Sequence, residues 1–141
     1  MPCPFFEPKE TAARPRHANA RLPLIDEYEG VCHAGSEPGA PLHDVVFRYC
    51  NHGYSQGCCD RFPSHEVRSA IRYDVVSRNE SALSLICIKE QDYTPVQWQA
   101  IEYMVLTERF EPELGDLCMR AQALAFCRSF LGRFADPAGN R

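Results

Sequence analysis

Residues 71–105 read IRYDVVSRNESALSLICIKEQDYTPVQWQAIEYMV, and the parsing of this stretch decides the fold. Ile71, Tyr73 and Val75 alternate with Arg72, Asp74 and Val76, a polar Arg78-Asn79-Glu80-Ser81 follows, and Ala82-Leu-Ser-Leu-Ile-Cys-Ile88 comes next. Period-two alternation on either side of a polar turn is the signature of a β-hairpin. Beyond it the reading changes. Thr94 offers a capping hydroxyl, Pro95 suits a first helical position, and Gln97 stands where a capping-box partner belongs. Trp98, Ile101, Met104 and Val105 then keep helical spacing up to Arg109, before Phe110-Glu-Pro112 breaks it. This pattern predicts a helix beginning at Thr94.

A second helix is expected from about Glu113 to Phe134. Leu114, Leu117, Cys118, Ala121, Leu124, Ala125 and Leu131 make one apolar stripe, and Phe126, Phe130 and Phe134 make another at intervals of four. Two apolar faces imply a helix covered on both sides, or one that pairs with a second copy as a homodimer.

The half of the chain before the hairpin has a different character. All five histidines, His17, His33, His43, His52 and His65, lie there, as do five of the eight cysteines, Cys3, Cys32, Cys50, Cys58 and Cys59. Eight of the eleven prolines also lie there, each removing a backbone donor and fixing a dihedral. Long helices and central strands are excluded by such a distribution, so this half is expected to be mostly loop. Ordering each residue costs roughly 1–2 kcal/mol, and a loop has few ladder bonds to offset it. Thiolate-held metal, with an apparent binding free energy on the order of 10 kcal/mol, is large enough to organise the segment. Packing of its aromatic residues on the second half is the other available source of order.

The expected architecture is therefore α+β, with an irregular Cys/His-rich N-terminal segment packed on a β-hairpin and two antiparallel helices. Residues 1–65 form the metal-binding segment, 66–135 the hairpin and helices of the same compact domain, and 136–141 a tail.

The candidate ligands are Cys3, Cys32, Cys50 and one of Cys58 and Cys59. No C-x2-4-C knuckle is present, and such knuckles are how a zinc site usually presents two sulfurs from one turn. Dispersed single cysteines suit an iron–sulfur cubane better, because a larger object accepts ligands from separate loops. A [4Fe-4S] cluster is thus the leading cofactor and Zn2+ the alternative. His33, beside Cys32, and His52, two residues after Cys50, are alternate ligands. Cys87, Cys118 and Cys127 read as small core residues. The basic run Arg14, Arg16, His17 and Arg21 is answered by Asp26, Glu27 and Glu29, so it reads as locally neutralised.

The motifs Cys3-Pro-Phe-Phe-Glu-Pro, Gly30-Val-Cys-His-Ala, Cys50-Asn-His-Gly-Tyr and Cys59-Asp-Arg-Phe-Pro resemble a group of small, uncharacterised bacterial proteins. In that group four dispersed cysteines precede a hairpin and helices. The resemblance implies Cys59 rather than Cys58 as the fourth ligand and carries no activity with it.

The formal net charge of −4 opposes binding to nucleic acid or to an anionic membrane surface. No run approaches the roughly 18 apolar residues of a membrane span, and residues 1–10 lack the regions of a signal peptide. A cytoplasmic protein is expected, in which cysteines stay as thiols rather than disulfides. No phosphate loop, nucleophile elbow or zinc-protease motif appears, so the chain is not expected to be an enzyme on its own. Electron transfer or redox sensing with a protein redox or assembly partner is the function these features favour, against a zinc-stabilised interaction module or a metal-free subunit of a larger assembly.

Overall fold

The computed structural model describes residues 2–13, 22–42, 45–55, 57–63 and 65–134. His17, His43, the basic run at 14–21 and the tail lie outside the described residues.

The described residues build two antiparallel sheets and one long helix, which corrects the expected α+β arrangement of a hairpin and two antiparallel helices. Strands β1 (Phe6–Thr11) and β2 (Tyr28–Cys32) pair in the first half. Strands β3 (Ala70–Arg78), β4 (Ala82–Gln91), β5 (Thr94–Met104) and β6 (Arg109–Glu111) form a meander in the second. Helix α1 (Leu117–Arg133) follows.

The β3–β4 hairpin is where alternation places it. Asn79 closes its turn through the side-chain oxygen, which accepts the amides of Ser81 at 2.8 Å and Ala82 at 2.9 Å. The segment from Thr94, however, is strand and not helix. Asp92 and Tyr93 both take positive φ, 50° and 65°, and set Gln91 opposite Thr94 in a two-residue hairpin turn. Thr94 is therefore the first strand residue after a reversal, and the apparent capping box around it caps nothing.

Two features hide the strand in the sequence. The register shifts where Lys89 and Glu90 face Gln97 and Pro95, leaving Val96 as an extra β5 residue next to Pro95. In addition, the inward positions at the hairpin end are polar: Gln97 faces Lys89 and Gln99 faces Cys87, whereas Ile101 and Tyr103 farther along are buried. The first of these pairs line an open groove beside Met119 rather than the core. β-Branched and aromatic residues then outweigh a weak helical spacing.

Helix α1 starts four residues later than expected. Asp116 caps it, accepting the Met119 amide at 3.0 Å, and also meets Arg68 at 3.3 Å. One side of α1 packs Met119, Ala123, Phe126 and Cys127 onto a core with Ile71, Tyr73, Leu83, Leu85, Cys87, Ile101, Tyr103 and Phe110. The other side meets β1 and β2, where the Tyr28 hydroxyl donates to Ala125 O at 3.0 Å. The two apolar faces thus have covers within the chain, while Leu117 and Phe134 at the helix ends stay exposed.

The first half is less irregular than its prolines suggest. Pro8 sits opposite Gly30 in β1, an edge position where a missing donor is tolerated, and a bulge follows it. Gly30 is there for space: a Cβ at this position would lie 2.0 Å from Glu7 O. Among the described residues no helix is long and apolar enough to cross a membrane.

Gly30→Ala is expected to force β1 and β2 apart and lower stability by about 1–3 kcal/mol in denaturant titration, the usual cost of overpacking. An unchanged midpoint would show that this close approach is not needed.

Candidate metal centre

Four separate segments deliver thiols to one place. Cys3 lies between Pro2 and Pro4, both fully buried, and its amide donates to Cys50 O at 3.0 Å. Its carbonyl accepts the Phe6 amide at 3.0 Å and the Gln122 side-chain amide at 2.7 Å. Ile71, in β3, donates to Pro2 O at 3.1 Å, so the ligand loop is tied to the large sheet.

Cys32 ends β2, and its backbone exchanges bonds with Gly39 at 2.8 and 3.1 Å, closing the loop between them. The Ala34 amide points back to the Cys32 sulfur at 3.5 Å. Cys50 ends a short π-helical turn, Val46–Cys50. The next residue, Asn51, is buried and fixes that turn to β2, accepting Tyr28 N at 2.9 Å and donating to Tyr28 O at 3.0 Å and Val46 O at 2.9 Å.

From there Gly53 and Tyr54, with φ of 77° and 56°, reverse the chain. Tyr54 anchors the reversal: its amide reaches Ser69 O at 3.2 Å, its ring stacks on Tyr93 at 3.9 Å, and its hydroxyl donates to the buried carboxylate of Glu90. Cys59 follows, its amide on Ser55 O at 2.8 Å and its carbonyl accepting Phe62 N at 3.1 Å. Phe62 is buried edge-on to Phe5, with ring centres 5.5 Å apart.

Cys3, Cys32, Cys50 and Cys59 line a single cavity of about 20 Å3, closed over by Pro41, Val45, Tyr49 and Phe62. Three of the four are buried and Cys59 is partly exposed, whereas Cys58 points outward and does not line the cavity. The alternate histidines are engaged elsewhere: His33 Nε2 lies 2.7 Å from Glu7 Oε1, and exposed His52 binds Phe47 O through Nδ1 at 2.7 Å. All eight cysteines are free thiols.

The site is costly to ionise. Burial pushes the Cys3 thiol up to about 11, and Cys32 and Cys59 add to the rise while the Ser55 hydroxyl, 3.9 Å from its sulfur, opposes it. Burial raises Cys50 further, again reinforced by the other three thiols, with Arg61 pulling the opposite way. Buried thiolates that repel one another need a cation among them. The donor set and its amide and hydroxyl contacts to sulfur therefore suit a soft metal or an iron–sulfur group.

Two features bear on which. Among the described residues no group of three or more His, Cys, Asp or Glu is placed to hold a metal ion as it stands, so the sulfurs share a cavity without converging on one point. The cavity is nevertheless small, about the space of one water, so a cubane enters only if the flanking loops draw back. Those loops, 33–42 and 57–62, lie outside both sheets, as do Cys3 and the Cys50 turn.

Sequence reading named the four thiols but missed Ser55, Arg61 and Gln122. Nothing in spacing marks Ser55. Arg61 lies within the Cys59-Asp-Arg-Phe-Pro stretch, and Gln122 was visible as a polar residue among the alanines of an apolar helix.

A maleimide added to metal-free native protein is expected to modify exposed Cys58 first, and Cys87, Cys118 and Cys127 only after denaturation. Burial pushes Cys87 and Cys118 up to about 12, so almost no thiolate is present near neutral pH. Peptide mapping reads the order, and early labelling at Cys87 would contradict it. Gln122→Leu is expected to cost about 1–3 kcal/mol in unfolding experiments, since it removes the bonds to the carbonyls of Cys3 and Phe6 and from the Tyr73 hydroxyl, although Cys3 O keeps the Phe6 amide and Tyr73 keeps Met119 O. Comparison of the chain with protein families, with curated proteins and with solved structures gave no match, so the reading of the site rests on its own geometry.

Proposed function

We propose that Cys3, Cys32, Cys50 and Cys59 hold an iron–sulfur cluster of the [4Fe-4S] class, and that the protein acts in electron transfer or redox sensing. The observation that carries this reading is the meeting of four thiols from four segments in one apolar cavity. When bound, such a group takes up and returns an electron, with a potential set by hydrogen bonds to its sulfurs and by its exposure. Here the Ala34 amide and the Ser55 hydroxyl supply contacts of that kind, and Phe62, Val45 and Pro41 keep water away. Tyr54, Asn51 and Gln122 hold the ligand loops to the sheets so that the thiols stay near one another. The role asks for no catalytic side chain, and a protein redox partner in the cytoplasm completes it. The net charge of −4 disfavours nucleic acid in that position.

The small cavity favours a second reading, in which one zinc ion draws the loops together and the protein is an interaction module.

Protein made anaerobically with ample iron is expected to be brown, with about four iron and four sulfide per chain, as a cubane requires. Cys32→Ser and Cys50→Ser should lose most of the iron, and Cys58→Ser should keep it. Colourless protein holding a single zinc and unfolding under a chelator would select the second reading, and stability unchanged by either serine substitution, with no metal bound, would defeat both.

A further inference from the structure

Arg61 stands two residues after Cys59 and lines the thiol cavity, although no step of the proposed function uses it. Its Nη2 donates to Glu37 O at 3.2 Å, across the loop that leaves Cys32. The guanidinium lies against Gly35 and Gly39, where a Cβ would come within 2.9 Å of Nη2 and 3.4 Å of Nη1 respectively. Gly39 is the residue whose backbone closes on Cys32. The side chain thus bridges the loop after Cys32 and the loop carrying Cys59, the two ligand segments not tied directly to the Cys3–Cys50 backbone bond. Among the described residues no carboxylate pairs with it in an ion pair, so its charge is left to act on the thiols.

A thiolate-ligated cluster carries net negative charge, and reduction adds to it. A fixed cation at the rim stabilises the reduced form more than the oxidised form; Arg61 is exposed, so solvent weakens this attraction on its outer side while the apolar cavity wall transmits it on the other. We propose that Arg61 is a positioning residue of this centre, holding the Cys32 and Cys59 loops together and raising the reduction potential through its charge. The inference rests on the cluster reading. The step concerned is one electron entering the cluster from an added chemical reductant, with no bond made or broken.

The test compares wild-type, Arg61→Lys and Arg61→Gln proteins, each loaded anaerobically, by iron and sulfide content and by redox titration followed in the visible spectrum. Arg61→Gln is expected to keep its cluster and to show, at the wild-type midpoint, an about tenfold lower ratio of reduced to oxidised form, equivalent to about 59 mV for one electron. Arg61→Lys, which keeps the charge, should titrate closer to wild type. Loss of the cluster from Arg61→Gln with its retention by Arg61→Lys also supports the charge. Wild-type potential in Arg61→Gln, equal shifts in the two variants, or loss of the cluster from both overturns the inference while leaving the cluster standing. Wild-type protein without iron or sulfide overturns the cluster, and the inference with it.

Discussion

The side-chain amide of Gln122 holds this structure together. It is fully buried in the middle of α1, donates to the carbonyls of Cys3 and Phe6 at 2.7 Å each, and accepts the Tyr73 hydroxyl at 2.9 Å. One neutral group therefore joins the N-terminal loop, the helix and the large sheet. A buried amide is costly unless its hydrogen bonds are made, and here three groups of the chain make them. This mutual dependence specifies a single docking position for the N-terminal segment, which apolar packing alone would leave free to slide. The rest of the site follows from it, because Cys3 in turn fixes Cys50 through a backbone bond.

Around that anchor the molecule divides the work between rigid and adjustable parts. Sheets and helix supply the apolar core, and Asn51 and Tyr54 pin the chain where it leaves Cys50. The segments that face the cavity directly, at 33–42 and 57–62, rely on isolated backbone bonds and on side chains such as Arg61. A site built this way brings its donors near without forcing them onto one point, and leaves the last adjustment to whatever binds.

What could be read from sequence followed the physics of each signal. The β3–β4 hairpin was legible because one face is uniformly buried, so Ile71, Tyr73, Leu83, Leu85 and Cys87 fall on a strict period of two. Helix α1 was legible from its stripes, and its start was misplaced because Leu114 belongs to the core without belonging to the helix. Strand β5 was illegible for a definite reason: half of its inner face looks into a groove, so Gln97 and Gln99 stand where a buried strand would show apolar residues. Pairing of β1 with β2 was masked by Pro8, whose cost is absorbed at an edge. The thiols could be named from composition, but their meeting could not, since loop spacing without knuckles fixes no distance. Bonds between distant segments bring them together, among them Cys3–Cys50, the β1–β2 pairing that sets Phe6 opposite Cys32, and the Asn51–Tyr28 pair.

The span of the Gln122 bonds has a temporal consequence. Cys3 and its anchor are 119 residues apart, and Tyr28 and Ala125 are 97 apart, so these closures form late and at a high loop-entropy cost. The docking of the N-terminal segment onto α1 therefore closes after α1 has formed, although the Cys3–Cys50 bond and the β1–β2 pairing join its thiol-bearing segments locally. Until α1 is made, the buried carbonyls of Cys3 and Phe6 lack the Gln122 amide that serves them in the complete fold.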